Sequence, residues 1–454
     1  MNLQLGTSTF PPLSSGAYWI TFDGKVRLLQ DWLHAVSQAT VFGDPVLPRN
    51  TPPLPPALDK AFYWGPEPSF YFFLDNIFDE VALAFRLRGL PETRVPVLVK
   101  ALLSVVGLKG YFQQSSYRSP LELSGGEQQR LLAALVIARQ PPVVIANEPL
   151  LYVAQDDRPL LYSRIATHLI RAGSILLLSS HSDDLDPKLF RGTLHLSIDA
   201  VTLHPPNFNP KVLIRSHRSH ASYSPSRPPA VPGPTRLELS HAEWTYPDGT
   251  LGIFVESLNI TAGTLYFLSG PNGAGKSSFV RLLTASYRVP VTTNFRFDGQ
   301  QVSNPYKNLV RRHLLTFAHQ DPNVHLRAGT VADVLGPLSL PSTIVHSFEL
   351  VDFLETEILA TPIWVRQACA FLQSTFLDAP LFLLDEPLDG PAFQIIGTAA
   401  ISVILQQVSL GKTGVIISHN ADLVKQTTHL ATHVPVSFLT ARRDLPSRNL
   451  LVQS

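Results

Sequence analysis

Residues 270–277 are the part of this sequence best suited to chemistry. They read Gly-Pro-Asn-Gly-Ala-Gly-Lys-Ser and match the phosphate-binding pattern G-x-x-x-x-G-K-[ST] at every fixed position. In such a loop, backbone N–H groups turn towards phosphate oxygens, and the following helix adds a partial positive charge. Lys276 would reach the β- and γ-phosphates, and the Ser277 hydroxyl would ligate Mg²⁺. The pattern predicts a nucleoside triphosphate site formed by Gly270, Pro271, Asn272, Gly273, Ala274, Gly275, Lys276, Ser277 and Ser278.

Apolar runs that must position this loop lie on both sides of it. Residues 264–268 are typical of a buried strand, and residues 279–283 are typical of a helix. A later run, residues 381–384, ends at Asp385 and Glu386. We expect Asp385 to bind Mg²⁺ through water and Glu386 to be the general base for an attacking water. Ionised carboxylates beside a phosphate loop rarely lack a cation, which argues against a purely structural role.

The first half of the chain repeats this series. Leu-Phe-Leu-Leu-Asp-Glu-Pro around Asp385 is matched by Val-Val-Ile-Ala-Asn-Glu-Pro around Asn147. Asn147 precedes His181 by 34 residues, and Asp385 precedes His419 by the same 34 residues. Equal spacing of matched motifs indicates a duplication. The alternation of strand and helix patterns in each copy predicts an α/β fold with a mainly parallel sheet.

A stretch rich in Pro, Ser and His separates the two copies, at residues 203–234. Proline removes backbone donors and restricts its neighbours, so we predict an extended linker there. The first domain is then predicted over residues 1–202 and the second over residues 235–454. The histidines of the linker do not have the spacing of metal ligands. We therefore interpret them as solvated linker residues and not as a metal site.

The bulk composition limits the classes of function. A length of 454 residues predicts about two or three domains, and 45% apolar residues are ample for full cores. The net charge of +1 gives no electrostatic case for a nucleic acid partner. A single cysteine, Cys369, excludes an intramolecular disulfide and fits a reducing compartment. We expect no membrane span and no secretory signal, because no long apolar run is found.

A second motif lies in the first half, where Leu123-Ser124-Gly125-Gly126-Glu127-Gln128-Gln129-Arg130 opens a predicted helix and Ser124 lies 23 residues before Asn147. This octapeptide resembles the signature motif of ABC transporter nucleotide-binding domains. The phosphate loop, the paired acids and their counterparts in the first half extend the resemblance to two such domains, which together cover nearly the whole chain. The resemblance implies an α/β fold with two P-loop NTPase (ABC ATPase) domains, each with a mainly parallel sheet core, an antiparallel β part and a helical signature subdomain.

In the resembled family, two such domains pack head to tail, and each ATP lies between the phosphate loop of one and the signature of the other. The resemblance then implies one complete site, with ATP and Mg²⁺ as cofactors. Gln320 would link Mg²⁺ and the water to a neighbouring subdomain, and His419 would contact the γ-phosphate. Tyr246 would stack on adenine, although a buried strand aromatic is an equal alternative. The implied catalytic residues are Lys276, Gln320, Glu386 and His419, the metal ligands are Ser277, Gln320 and Asp385, and the signature contributes Ser124, Gly125, Gly126 and Glu127.

The parts of the other composite site are degenerate. Gly24-Lys25 survives if about four residues are deleted from the loop, but Val26 replaces the serine. The other replacements are Pro66 for the glutamine, Asn147 for the aspartate, and Pro362, Ile363 and Trp364 for Ser-Gly-Gly. At the last three positions, proline lacks an amide hydrogen and the bulky side chains prevent a close approach of the backbone to phosphate, so we expect a non-hydrolytic site. An aspartate position shortly beyond the paired acids is alanine in both halves, at Ala154 and Ala392.

A narrower resemblance concerns residues 79–85 and 118–126. They look like the ATPases of energy-coupling factor (ECF) transporters, which are bacterial importers of vitamins and transition-metal ions. This implies an integral membrane transporter subunit of the ECF T-type and a substrate-binding membrane protein as partners. The chain would be cytoplasmic and peripheral on the inner face of the cell membrane. The apolar run at residues 69–74 is either core or a docking surface for the membrane subunit.

Two alternatives from other classes stay open. A soluble tandem ABC protein acting in translation would usually have two competent sites and a long charged helical connector, which this sequence lacks. A non-hydrolysing nucleotide-binding scaffold is disfavoured by Lys276, Asp385, Glu386 and His419 together, although the alanines at Ala154 and Ala392 leave it open.

Overall fold

The computed structural model divides the chain into two compact units, Met1–His217 and Arg218–Ser454. The boundary lies inside the predicted linker. The structure describes residues 13–22, 33, 36–37, 61–109, 119–153, 155–179, 186–196, 201–204, 233–245, 251–270, 274–284, 294–302, 309–310, 313–326, 328–388, 391–418, 421–431, 434–445 and 448–453.

The first unit is built on a six-stranded sheet, in the order β2-β3-β4-β1-β5-β6. Neighbouring strands are parallel except for the antiparallel pair β5–β6. β3 and β4 are buried along their whole length, as expected for parallel strands covered on both faces. The strands are β1 (Gly16–Phe22), β2 (Ala61–Trp64), β3 (Val143–Asn147), β4 (Ile175–Ser179), β5 (Phe190–Leu196) and β6 (Val201–His204). β6 thus extends into the first two residues of the predicted linker.

Two helices of the first unit start at side chains that satisfy their free N–H groups. The Asn76 side chain accepts from the N–H groups of Phe78 and Asp79, and Ser124 forms a capping box with Glu127. The helices are α1 (Ile77–Leu87), α2 (Val95–Val105), α3 (Gly125–Arg139) and α4 (Arg158–Arg171).

The second unit has a ten-stranded sheet, in the order β11-β10-β7-β8-β16-β15-β9-β14-β13-β12. Its parallel part is β15-β9-β14-β13-β12, and β7, β8, β10 and β11 form an antiparallel part. The strands are β7 (Thr235–Thr245), β8 (Leu251–Thr261), β9 (Leu265–Ser269), β10 (Asn294–Phe297), β11 (Gln300–Gln301), β12 (Leu315–Ala318), β13 (Leu381–Asp385), β14 (Thr413–Ile417), β15 (Val436–Leu445) and β16 (Arg448–Gln453).

Six helices accompany this sheet among the described residues of the second unit: α5 (Lys276–Thr284), α6 (Val331–Leu335), α7 (Ser342–Ser347), α8 (Ile363–Phe376), α9 (Pro391–Ser409) and α10 (Ala421–Leu430). Two apolar clusters pack against the sheet. One contains residues of α6, α8 and α9, and the other contains residues of β7, β8 and α5.

The two units share one strand topology, which supports the duplication. The order β6-β5-β1-β4-β3-β2 of the first unit corresponds strand by strand to β16-β15-β9-β14-β13-β12 of the second. Pairing registers make Asn147 equivalent to Asp385 and Pro66 equivalent to Gln320. The fold class predicted from the sequence is confirmed. In the first unit, the described antiparallel pairing is β5–β6, and the part formed by β7, β8, β10 and β11 has no described counterpart.

One helix differs from the expectation that no segment is suited to a membrane. Residues Ala392–Ser409 are long and apolar enough to cross a bilayer by length and composition, and 61% of this window is buried inside the structure. Mostly buried core helices of soluble proteins pass the same test, so this single helix is weak evidence for a span.

Candidate functional site

The phosphate loop connects β9 to α5. Gly270 follows β9 with φ at 152°, and Gly275 precedes Lys276 with φ at 90°. L side chains rarely adopt these values. A Cβ at Gly270 would also collide with the backbone oxygen of Ala441. Glycine is therefore required at both positions by the backbone itself, in agreement with the motif.

Lys276 is the first residue of α5 and is only 8% exposed. Its Nζ donates to the carbonyl oxygen of Gly270 at 2.8 Å. Burial lowers the pKa of the ammonium group, while the charges of Glu386 and Asp385 act in the opposite direction. The structure therefore brings the lysine within electrostatic reach of both predicted acidic residues.

The paired acids stand at the end of a strand that is paired on both sides. β13 ends at Asp385, and the carboxyl ends of the parallel strands beside it meet at the same edge of the sheet. Asp385 is 3% exposed. Glu386 adopts a left-handed conformation, with φ at 49°, and donates its N–H to the oxygen of Ile417 at 2.9 Å. Strained conformations of this kind in residues other than glycine cluster at functional sites.

Gln320 joins this group from the neighbouring strand. It follows β12 by two residues, and its Nε2 approaches Glu386 Oε2 to 3.5 Å, a long contact. The predicted glutamine and the predicted general base, which are 66 residues apart, therefore lie side by side.

Two histidines hold the backbone around Gln320, a feature that sequence reasoning missed. His325 Nε2 accepts from the N–H of His319 at 3.1 Å, and His319 Nδ1 accepts from the N–H of Asp321 at 3.0 Å. The rings thus hold the N–H groups of the residues before and after the glutamine. Burial lowers the pKa of His319, and burial together with His319 lowers the pKa of His325 to about 4. Neutral rings are needed for the acceptor roles.

The structure describes three of the other predicted residues of this site. Ala274 packs in the core, Ser278 is 3% exposed, and Ser277 is half-buried in the first turn of α5. Five predicted residues lie outside the described part of the chain and stay predictions: Tyr246, Pro271, Asn272, Gly273 and His419.

Oxygen donors in the site suit Mg²⁺. The Ser277 hydroxyl, the Gln320 amide oxygen and the Asp385 carboxylate are hard ligands of the type that this ion prefers. No group of three or more His, Cys, Asp or Glu that could bind a metal occurs within the described ranges. Magnesium usually keeps several waters and shares phosphate oxygens, so a sparse protein ligand set fits it.

The signature turn of the first unit is well formed. Ser124 caps α3, its N–H donates to Glu127 Oε2 at 2.9 Å, and the N–H of Glu127 donates back to the serine hydroxyl oxygen at 3.4 Å. Gly125 is the first residue of α3, and a Cβ on Gly126 would lie 2.6 Å from the backbone oxygen of Tyr152. Only glycine fits there without a shift of the backbone.

The degenerate positions occupy the places that the sequence assigned to them. Pro362 is the N-cap residue of α8, as Ser124 is of α3, but it offers no side-chain cap. Trp364 is fully buried and packs edge-on against Phe353, with ring centroids 5.5 Å apart. This bulky side chain stands at the position of Gly126, where the first unit accommodates only glycine.

Asn147, at the position of Asp385, bonds to a protein side chain. Its Nδ2 donates to the Tyr63 hydroxyl oxygen at 3.2 Å, and Phe317 occupies the position equivalent to Tyr63 in the second unit. Residues 23–26, with Lys25 and Val26, lie outside the described residues, as do Ala154 and His181. The strand register makes Ala17 equivalent to Leu265. Counted along the sequence from these positions, Lys25 follows after three residues fewer than Lys276, against the predicted deletion of about four.

Comparisons with known proteins agree with this geometry. Residues 255–389 match the family model described as ABC transporter. A putative ABC transporter ATP-binding protein of Pyrococcus horikoshii is 37% identical over 119 residues, which are 26% of this chain and 44% of that protein. The energy-coupling factor transporter ATP-binding protein EcfA2 of Clostridioides difficile is 33% identical over 134 residues, which are 30% of this chain and 46% of that protein. The chain thus spans less than half of the length of these relatives.

A solved structure of ribosome-bound archaeal Pelota and ABCE1 has a similar fold over nearly the whole chain. The TM-score is 0.56 at 14% identity, over 97% of this chain and 74% of that one. At this identity the likeness concerns the fold alone.

The histidine pair predicts a pH dependence of stability. The folded-state pKa of His325 is about 4, below the ordinary 6.5. The unfolded chain therefore binds this proton more readily, so stability is complete above about pH 6.5 and is lost as the pH falls through about 4. The lowered pKa of His319 acts in the same direction. His325→Gln keeps an acceptor that does not titrate, and its urea midpoint should fall less steeply between pH 7 and pH 4.5. Parallel slopes for the two proteins would contradict this account.

Proposed function

We propose that this chain, whose second unit is an ABC ATP-binding domain, is an ATPase with one competent composite site. The observation that carries the proposal is the segregation of intact parts. Lys276, Gln320 and Glu386 converge in the second unit, while the capped glycine turn at Ser124 is intact only in the first. Head-to-tail pairing of the two units would unite these parts and leave Val26, Pro66, Asn147 and Pro362 in the other site, whereas the alanines at Ala154 and Ala392 occur in both units.

The residues of the second unit would divide the chemistry between them. Backbone N–H groups of the loop and Lys276 would bind and orient the phosphates of ATP. Glu386, fixed by its bond to the oxygen of Ile417, would accept the proton of the attacking water. Gln320 beside it would orient that water. Mg²⁺, when bound by Ser277, Gln320 and Asp385, would neutralise phosphate charge.

The other composite site would not hydrolyse ATP. Pro66 and Asn147 stand at the positions of Gln320 and Asp385, and the asparagine amide is engaged with Tyr63. Pro362 at the N-cap of α8 supplies neither a hydroxyl nor an N–H. Glu148 would retain the geometry of a general base without a magnesium ligand beside it.

We propose further that this ATPase is a subunit of a membrane transporter. The similarity to EcfA2 supports an ECF-type importer subunit, with a membrane transporter subunit and a substrate-binding membrane protein as partners and a place on the inner face of the cell membrane. Within the apolar run at residues 69–74, some side chains belong to the core and others are exposed. Tyr71 and Phe72 pack against the core of the first unit, whereas Phe73 is 71% exposed and Leu74 is 38% exposed. This exposed pair would be the docking surface for the membrane subunit.

A soluble ATPase acting on ribosomes is the second candidate. It is favoured by the fold similarity to the ribosome-bound ABCE1 structure, which extends over 97% of this chain. Against it stand the predicted single competent site and the proline-rich linker.

The two glutamates provide a matched test of the site assignment. Glu148 and Glu386 share a left-handed φ, at 45° and 49°, and a backbone bond of 2.9 Å to the neighbouring strand. Glu386→Gln should lower ATP turnover by roughly 10²-fold or more, because the general base is lost, while Glu148→Gln should leave turnover within about twofold. Steady-state phosphate release with Mg²⁺ measures both. Equal losses in the two variants would refute the assignment.

Head-to-tail pairing predicts that a change in the first unit stops chemistry in the second. Ser124→Arg would fill the phosphate side of the signature turn, and turnover should fall by more than about tenfold although Lys276 is unchanged. Leu160→Arg adds the same charge to an exposed position of the same unit, where the leucine is 57% exposed, and should have no effect. If thermal melts show both variants folded and both keep wild-type turnover, the composite site is wrong.

Membrane docking is tested by replacing Phe73 and Leu74 together with Asp. In cells that contain the native transporter partners, the variant should leave the membrane fraction while its ATP turnover in solution is retained. Val97→Asp, at a position that is 70% exposed on α2, is the control and should stay with the membrane. Co-sedimentation of both wild type and variant with ribosomes would favour the second candidate.

A further inference from the structure

A buried glutamine in the first unit ties two functional segments together. Gln129, in the second turn of α3, is fully buried. Its Nε2 donates to the carbonyl oxygen of Pro66 at 3.2 Å, and its Oε1 accepts from the N–H of Tyr152 at 2.6 Å. Pro66 is the position of the predicted active-site glutamine. Through this hydrogen bond, Gln129 links the position of the active-site glutamine to the helix that begins at the signature turn.

Gln367 is the equivalent residue in the second unit. Both glutamines are the fifth residue after an N-cap, Ser124 in α3 and Pro362 in α8. The sheet register gives the same equivalence. It matches Asn147 with Asp385, and Gln367 precedes Asp385 by the same number of residues as Gln129 precedes Asn147. The glutamine is thus kept in a helix start where serine and both glycines have been replaced.

The amide of Gln367 lacks the bonds that Gln129 makes. Gln367 is 3% exposed, and within the described residues neither its Nε2 nor its Oε1 has a hydrogen-bond partner. A buried amide without a partner is costly, and such groups are rare in folded proteins. The amide is therefore a group whose partner must come from another arrangement of the segment around it.

The helix of Gln367 already contacts the segment that follows Gln320. The Nη1 of Arg366 donates to Asn323 Oδ1 at 2.8 Å, and Asn323 Nδ2 donates to Asp321 Oδ1 at 2.8 Å. In the first unit the equivalent segment, at Pro66, lies within hydrogen-bond distance of Gln129. The first unit thus gives the geometry of the bond that the second unit is missing.

We propose that Gln367 is a positioning residue, whose amide donates to the carbonyl oxygen of Gln320 when nucleotide binds the second unit. The bond fixes the backbone of Gln320, and with it the side chain beside Glu386. The degenerate signature helix then acts on the competent site through this bond, without contacting nucleotide. The inference rests on the proposed ATPase, because the event that it follows is the binding of Mg-ATP.

Gln367→Met is the main test, because methionine has a similar volume and no amide. The nucleotide-free variant should melt at the same or a higher temperature, since a buried unpaired amide is removed. Its kcat for ATP should fall by about tenfold while the KM stays within about twofold. The rise in melting temperature caused by Mg-ATP should be smaller than in wild type. A residue that only fills the core would change the melting temperature and leave kcat unaltered.

Gln373→Met on the same helix is the control. Its amide donates to the carbonyl oxygen of Val334 at 3.3 Å, so its loss should lower the melting temperature and leave kcat and the Mg-ATP shift unchanged. If Gln367→Met does not fold, Gln367→Asn retracts the amide by one methylene and has the same expected kinetics.

Wild-type kcat together with a wild-type Mg-ATP shift in the Gln367 variant would overturn the inference. If the wild-type protein itself shows no turnover, the proposed ATPase fails, and the comparison of the Mg-ATP shifts alone then decides on Gln367. A smaller shift in the variant would support the bond without any measurement of hydrolysis.

Discussion

The burial of one ammonium group beside two carboxylates is the interaction on which the site depends. Lys276 is nearly inaccessible, and burial lowers its pKa despite Asp385 and Glu386 nearby. Desolvation therefore outweighs the attraction of the two acids in setting the direction of this pKa shift. Phosphate oxygens would add the negative charge that the lysine needs. A site of this kind gains more from an anionic ligand than an exposed lysine would, because the low local dielectric strengthens each interaction.

The two units share their backbone fold but differ in the polar side chains that the proposed chemistry needs. Strand order and register are the same in both units, and Glu148 and Glu386 have the same backbone geometry. These features depend on apolar strands and helices that cover them, which both units retain. The chemistry depends on single polar atoms, and one exchange from aspartate to asparagine or from glutamine to proline removes it. A copy can therefore lose its chemistry and keep its fold.

Under the proposed function, the start of α8 is the counterpart of a ligand site in the first unit and has itself become part of the core. At the position of Gly126, where the backbone of Tyr152 leaves no room for a side chain, the second unit has Trp364, buried against Phe353. Burial of a large aromatic ring stabilises the subdomain, whereas the glycine turn costs backbone entropy and leaves polar N–H groups for a ligand. The helix keeps polar links to the segment after Gln320 through Arg366.

The sequence alone determined the short-range features: the phosphate loop, the acids that end β13, the cap at Ser124, the duplication and the α/β class. Each depends on residues that are close in the chain, so spacing and periodicity suffice. Tertiary structure decided which strands pair, and hence that Gln320 meets Glu386 across 66 residues. It likewise decided that His319 and His325 hold the N–H groups of the residues on both sides of Gln320. It also decided that Gln129 has partners and Gln367 has none among the described residues. Hydrogen bonds between distant segments depend on sub-ångström placement by the packed core, which no local pattern encodes.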